Sequence, residues 1–262
     1  MSWSDPGYLR DVQYRTDGNL AARQSIYAYQ HPRVDLVAIT LDRAGLRGDE
    51  TVVDVGCGNG RYLAALVGRG HTGPVVGVDL SVGMLRAAAR TDVAAESVAD
   101  GSAGARAGAA GGARLVAGDA AALPLQDGSV DVALAAHMLY HVPDPPAAVR
   151  ELRRVLRPDG RVVVVLNGAD HLLELHSMLG RRGERRLDLD AGQALLAAVF
   201  GPVDRLDLVT ELRVPDAGPI EAYARSIPGP AQVTTLPPGP YRIRTHTGVL
   251  VGGRVHTAAP PS

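Results

Sequence analysis

VVDVGCGNGRY at residues 52–62, followed by VVGVDLS at 75–81, decides the fold. Each segment opens on a run of β-branched residues of the length and composition of a strand buried on both faces. The first run passes into a glycine-rich turn and then into RYLAALVGRG, 61–70, whose spacing is helical and whose last glycines suit a helix C-terminus. Strand, turn, helix and second strand form one βαβ unit, the building block of a parallel sheet. A glycine-rich turn between strand and helix lets a ligand approach the backbone closely. Asp79 follows at the end of the second strand, where a carboxylate about 20 residues beyond the turn hydrogen-bonds ribose hydroxyls. Turn and carboxylate together point to a ligand containing adenosine.

Charge and sterics select among such ligands. A dinucleotide turn requires Gly or Ala at its sixth position and no negative charge beside the pyrophosphate. Here the sixth position is Arg61, the spacing is GxGxG instead of GxGxxG, and Asp54 stands two residues before Gly56. A carboxylate in that crevice repels pyrophosphate and attracts a ligand carrying ammonium and sulfonium groups, as S-adenosylmethionine does. The phosphate loop of nucleotide hydrolases needs a lysine, and all 27 basic residues of this chain are arginine.

Outward from this unit the same alternation continues. Residues 17–45 carry helical spacing interrupted by Pro32, which predicts two N-terminal helices. RLVAGDA (114–120), VDVALAAHML (130–139) and RVVVVLNG (161–168) predict three more parallel strands, with the helix PPAAVRELRRVL (145–156) before the last of them. Residues 171–200 read as two helices that leave the sheet. VDRLDLVTELRV (203–214), a short helix around Glu221 to Ser226, a proline-rich loop from Pro228 to Pro240 and a strand GVLVGGRV (248–255) complete the pattern. Between the predicted helix SVGMLRAAAR (81–90) and the strand RLVAGDA, residues 94–113 hold nine Ala and five Gly in twenty, too little apolar surface to bury, so a disordered or loosely helical insertion is expected there. Residues 257–262 read as a frayed tail.

The chain has 262 residues and a formal net charge of −1, the extent of one elaborated α/β domain. That balance argues against a whole-surface attraction to nucleic acid or to an anionic membrane. Apolar stretches break well short of the roughly 18 to 20 residues that span a bilayer, and MSWSDPGYLRD at the start lacks the features of a secretory signal. The single Cys57 fits a reducing compartment. A soluble, cytoplasmic protein is expected, as monomer or homodimer.

VVDVGCGNG (52–60), VVGVDLSVGML (75–85), GDAAALPLQDGSVDVALAAHMLYHV (118–142) and ELRRVLRPDGRVVVV (151–165) in this order resemble the class I S-adenosylmethionine-dependent methyltransferases. HMLYHVPDPP running on to NGADHLLEL, together with YRTDGNLAARQSIYAY (14–29), resembles a bacterial branch that acts on small molecules. The resemblance implies a Rossmann-like α/β fold with a seven-stranded, mostly parallel sheet, its last strand antiparallel, under a helical lid. It divides the chain into an N-terminal helical lid (1–50), a cofactor-binding core (51–166), a helical lid insertion (167–202) and the remainder of the sheet with its tail (203–262). By the same resemblance Gly56, Gly58 and Gly60 form the turn beneath S-adenosylmethionine, and Asp54 orients that turn and the methionine ammonium. Asp79 holds the ribose, Leu80 and Met84 pack the adenine, Asp119 meets its amino group and Ala120 flanks it. Ala136 and His137 line the methionine part, and Tyr14 closes over the cofactor carboxylate.

His137, Tyr140 and His141 follow the fourth predicted strand, at the sheet edge where α/β proteins hold ligands, and are the candidates for proton transfer. His137 and His141 have the spacing of a zinc pair, but Met138 stands where a metalloprotease needs Glu, so no metal is expected. His171 and His176 read as a solvated helix face or as substrate contacts, and RRGERR (181–186) as a solvated basic run. The expected acceptor is a small molecule of bacterial secondary metabolism with nitrogen, oxygen or carbon as the methylated atom. The rivals are an RNA methyltransferase and a cofactor-binding protein that transfers no methyl group.

Overall fold

The structure, a computed structural model, describes residues 5–91, 96–99, 112–181, 187–227 and 236–253. Nine helices, α1 to α9, and nine strands, β1 to β9, are found among them. The N-terminal region contains α1 (Pro6–Tyr8), a π-helical turn Leu9–Gln13, α2 (Gly18–Ser25), a 3-10 turn Ile26–Tyr29, β1 (Gln30–His31) and α3 (Leu36–Ala44). The deciding segments form β2 (Val52–Val55), α4 (Arg61–Gly68) and β3 (Val75–Asp79), followed by α5 (Val82–Ala88). Then come β4 (Glu96–Ala99), β5 (Ala113–Ala117), β6 (Val130–Ala136), α6 (Pro145–Val155) and β7 (Leu156–Asn167). The last part holds α7 (Leu173–Met178), α8 (Leu189–Phe200), β8 (Val203–Val214), α9 (Ala217–Ser226) and β9 (Tyr241–Gly253).

All nine strands join one sheet in the order β1-β8-β9-β7-β6-β2-β3-β5-β4. The pairs from β4 across to β7 are parallel, and β9 runs antiparallel to both β7 and β8. The fold class is the expected Rossmann-like one, but seven strands are too few: eight have four or more residues, and the two-residue β1 extends one edge. The opposite edge is β4, which lies within the stretch expected to be disordered or loosely helical. Glu96–Ala99 pairs there with β5, whereas residues 94–95 and 100–111 of that stretch lie outside the described residues. The basic run beyond Arg181 and the tail also lie outside them.

β2 is buried at all four positions, and its alternation separates two cores. Val53 and Val55 pack with α6 and α8 on one face, while Val52 joins α3 and α4 on the other. α8 therefore belongs to the layer covering the sheet, with Leu189 and Leu196 buried, and does not leave it as its sequence suggested. Helical spacing reveals that a face is apolar and not which surface receives it. A third core joins Ile26, Leu175, Ile220 and Ile243 beyond the end of the sheet.

The site is set by a reversal in strand order. β3 lies on one side of β2 and β6 on the other, in register at Val52↔Val75 and Val52↔Val132. Loops leaving the carboxyl ends of these strands diverge and leave a crevice, the usual ligand position in open α/β sheets. The N-terminal segment folds over that edge. Ser81 Oγ, which also caps α5, donates to the Tyr14 carbonyl at 2.7 Å, and Gln13 Nε2 donates to the Ser226 carbonyl at 2.9 Å. This close approach needs glycine at 83, where a Cβ would fall 2.1 Å from the Arg15 carbonyl oxygen.

Candidate active site

A cavity of about 1290 Å3 opens at the carboxyl ends of β2, β3, β5 and β6. It exceeds the roughly 300–1,000 Å3 typical of a site for one small ligand. The glycine-rich turn forms its floor. Gly56, Gly58 and Gly60 have φ of 68°, 55° and 80°. Gly56 is required twice over, because its φ is left-handed and a Cβ would lie 2.6 Å from that of Met138. Gly56 and Gly58 line the cavity, while Gly60 is absent from its lining and is the N-cap residue of α4.

Two carboxylates flank this turn in different states. Asp79 accepts the backbone N–H of Gly58 through Oδ2 and of Ser81 through Oδ1, both at 2.8 Å. Burial raises its pKa, and these two N–H groups pull it back. A carboxylate has about four acceptor positions, so two remain for donors of a ligand. Asp54 is 1% exposed and its Oδ2 has no hydrogen-bond partner among the described residues. Burial, helped by the negative charge of Asp79, pushes its pKa up to about 8. A buried, unpartnered carboxyl in a cavity wall suits a cationic group of a ligand. Leu80, Met84, Asp119 and Ala120 line the same region, and Asp119 accepts the Ala121 N–H at 2.9 Å.

Ala136, His137, Tyr140 and His141 line the wall after β6. His137 takes a left-handed φ of 56°, unusual for a residue other than glycine, and its N–H is held by the Val165 carbonyl at 2.9 Å. Enclosure, with the Arg61 charge nearby, draws its pKa down to about 4, so the ring is neutral at physiological pH and a weak base there. Tyr14 Oη and His141 Nε2 are 3.0 Å apart, so the N-terminal segment reaches the wall after β6 directly. Tyr140 meets the His141 ring edge-on at 4.5 Å between centroids. Its phenol titrates well above the ordinary range through burial and the neighbouring Tyr14. Among the described residues, no group of three or more His, Cys, Asp and Glu is placed to hold a metal.

Residues the sequence did not single out close the rest of the cavity: Tyr27, Asn167, Tyr223, Thr245 and Thr247. His171, one reading of which was a solvated helix face, instead sits in the turn before α7, 7% exposed, within 2.9 Å of Tyr27 Oη. His176 also lines the cavity. One sequence signal was available. The chain has one Phe, one Trp and eight Tyr, and five of the tyrosines (14, 27, 62, 140 and 223) face this cavity. A second is the inward row of β9, where Thr245 and Thr247 follow Tyr241 and Ile243 at buried positions.

The profile of the methyltransferase domain family matches residues 53–164. A demethylmenaquinone methyltransferase of Staphylococcus aureus is 36% identical over 120 residues, 45% of this chain and 44% of that protein. The chain spans less than half the length of the curated relatives it matches. Among solved structures, a SAM-dependent methyltransferase from Methanosarcina mazei aligns with TM-score 0.52 and 21% identity over 84% of this chain and 99% of its own. The [4+2]-cyclase SpnF aligns with TM-score 0.59 and 16% identity over 97% of each chain. At these identities the solved structures speak to the fold alone. No helix among the described residues is long and apolar enough to cross a membrane. Sheet order, glycine turn, paired carboxylates and family profile coincide on the same stretch, and residues 53–164 match the methyltransferase domain family.

Proposed function

We propose that this chain binds S-adenosylmethionine over the Gly56–Gly58 turn and transfers its methyl group to a nitrogen, oxygen or carbon nucleophile of a small molecule held in the same cavity. The observation that carries this reading is Asp54, a buried carboxyl with an unpartnered Oδ2 in the cavity wall. It would hold the ammonium, Asp79 the ribose hydroxyls, Leu80 and Met84 the adenine face, and Asp119 the adenine amino group, with Ala120, Ala136 and His137 completing the wall. When bound, the cofactor supplies a sulfonium methyl group already activated for in-line displacement. What remains for the protein is alignment and exclusion of water, which provide several kcal/mol of the barrier in well-oriented reactions. Tyr14, drawn over the cavity by its contact with His141, serves that exclusion. An amine acceptor needs only to be bound neutral, whereas a hydroxyl acceptor would hand its proton to His141 or, less readily, to His137. We place the reaction in bacterial secondary metabolism and in the cytoplasm, supported by arginine used to the exclusion of lysine and by a buried, free Cys57.

Calorimetric titration with S-adenosylhomocysteine, with NAD as control, tests the cofactor. Micromolar binding of the first and none of the second is expected, and preference for NAD overturns the reading of Asp54. Transfer is tested by mass spectrometry on mixtures with candidate acceptors. A product heavier by one methyl group, formed one for one with S-adenosylhomocysteine, is expected. Rearranged acceptor with the cofactor unconsumed would show that the pocket serves another reaction, a use the SpnF likeness makes worth the control.

A further inference from the structure

The hydrogen bonds behind Tyr27 fix which way its hydroxyl proton points. His171 Nδ1 accepts the backbone N–H of His246 on β9 at 3.0 Å, so this nitrogen carries no proton. The neutral ring therefore bears its proton on Nε2, 2.9 Å from Tyr27 Oη. His171 donates and the phenol oxygen accepts. Burial works in the same direction, holding the His171 pKa down to about 3 and raising that of Tyr27. The tyrosine keeps its own hydrogen, and among the described residues Oη has no second partner. Both rings line the cavity, and the two are stacked at 6.4 Å between centroids. The cavity wall also carries Tyr14, Tyr140 and Tyr223 with Thr245 and Thr247, and the Arg23 guanidinium lies 5.3 Å from the Tyr14 ring centroid. Such walls offer flat faces to a planar ring and hydrogen bonds to its oxygens.

We infer that Tyr27 is a specificity-determining donor, oriented by His171, that binds the oxygen of a hydroxylated aromatic acceptor. Calling the bound molecule a methyl acceptor rests on the proposed transfer reaction, while the direction of the donor does not. Tyr27 contacts the ligand. His171 is a positioning residue, acting only through Tyr27.

Two measurements test the assignment. In a 15N-histidine spectrum, the His171 signals, identified by their loss in His171→Gln, should show unprotonated Nδ1 and protonated Nε2, unchanged from about pH 8 to pH 5. The opposite tautomer reverses the donor and overturns the proposal. In the second, 4-nitrophenol is titrated by absorbance into the full chain, both ligand-free and saturated with S-adenosylhomocysteine. Wild type should bind it, and Tyr27→Phe about tenfold more weakly, the usual scale for losing a hydrogen bond to a charged oxygen. The bound probe should also shift from phenolate toward phenol in Tyr27→Phe, because a donor to the oxygen favours its ionised form. His171→Gln, whose amide can still donate to Tyr27, should bind better than His171→Leu, and Tyr29→Phe should match wild type. Equal binding and an unchanged spectrum in Tyr27→Phe, or no uptake by wild type up to millimolar probe, overturns the assignment. Melting temperature and S-adenosylhomocysteine affinity guard against misfolded variants. Should wild type fail to bind S-adenosylhomocysteine, the transfer reading falls, and nitrophenol binding to the ligand-free protein still decides the role of Tyr27.

Discussion

Asp54 rests as an acid. With burial and the Asp79 charge holding its pKa up to about 8, it is largely protonated in the ligand-free protein at neutral pH. A cation arriving at Oδ2 favours the carboxylate, so binding should expel a proton. Titration of S-adenosylhomocysteine at pH 7 should therefore give heats that differ between phosphate and Tris buffers, and affinity should rise toward pH 8 and level off above it. Asp54→Asn should remove the buffer dependence and weaken binding by about 1–3 kcal/mol, the scale of a lost charge-assisted hydrogen bond. Stability moves the other way. A pKa raised in the folded state contributes stability that is complete below the unfolded value and is lost as pH rises through about 8. Without ligand, Asp54→Asn should thus gain on wild type in denaturant midpoint as pH rises from the ordinary aspartate range to about 8, with no further gain above it. The place of Asp54 in the cavity wall was legible in the sequence, because a carboxylate two residues before a glycine turn falls at the carboxyl end of its strand. Its protonation was not, since that depends on a second carboxylate and on the donors that the folded chain withholds. Tyr27 and His171 lie 144 residues apart, and nothing local to either marks the other.

Among elements, the C-terminus of α3 is joined to β7 by a buried ion pair. Arg161 Nη2 lies 3.2 Å from Glu50 Oε1 with side-chain exposures of 4% and 1%, and the same guanidinium donates to the carbonyls of Ala44 and Gly45. Burial works to raise the Glu50 pKa, but the N–H groups of Arg47 and Gly48 and the Arg161 bond outweigh it and hold the carboxyl at about 2. Its contribution to stability is thus present above the ordinary glutamate range and lost as pH falls toward 2. Arg161→Met should lower stability by about 3 kcal/mol, because the charge of Glu50 stays buried without its partner. Glu50→Gln added to Arg161→Met should recover part of that loss in the urea midpoint, whereas no recovery would assign the cost to packing of the arginine stem. Elements of this kind were readable where burial is local: β2, β3 and β7 each carry their own β-branched run, and β6 is a short, mostly apolar one. Edge strand Glu96–Ala99 was not, because its pairing with β5 is a long-range choice that alanine and glycine neighbours do not announce. The same holds for α8, whose receiving surface is made by β7, β8 and β9 from either side of it in the chain.

Across the whole molecule, His246 ties three parts of the chain together behind the site. Its Nδ1 lies 2.6 Å from Asp170 in the turn after β7, and its Nε2 lies 2.7 Å from Asp207 on β8. Arg244 and Arg205 hold the outer oxygens of those carboxylates, so the imidazole is the centre of a charge-alternating row. Burial opposes protonation here, yet the two carboxylates outweigh it and raise the His246 pKa above its ordinary 6.5. The sign follows directly: the contribution is complete below 6.5 and fades as pH rises through the raised value, where one of the two bonds must lose its proton. Since Asp170 and Asp207 are 39% and 40% exposed, solvent screening keeps the effect to about 1 kcal/mol. For a chain of this length that corresponds to about 2–4 °C of melting temperature. His246→Gln should therefore melt lower than wild type by that amount near pH 6, with the gap narrowing by pH 9. The backbone N–H that fixes His171 survives the substitution, so S-adenosylhomocysteine affinity should not change. A gap that stays constant with pH would assign the role of His246 to packing against Gly168, where a Cβ would fall 2.2 Å from its ring, rather than to its charge.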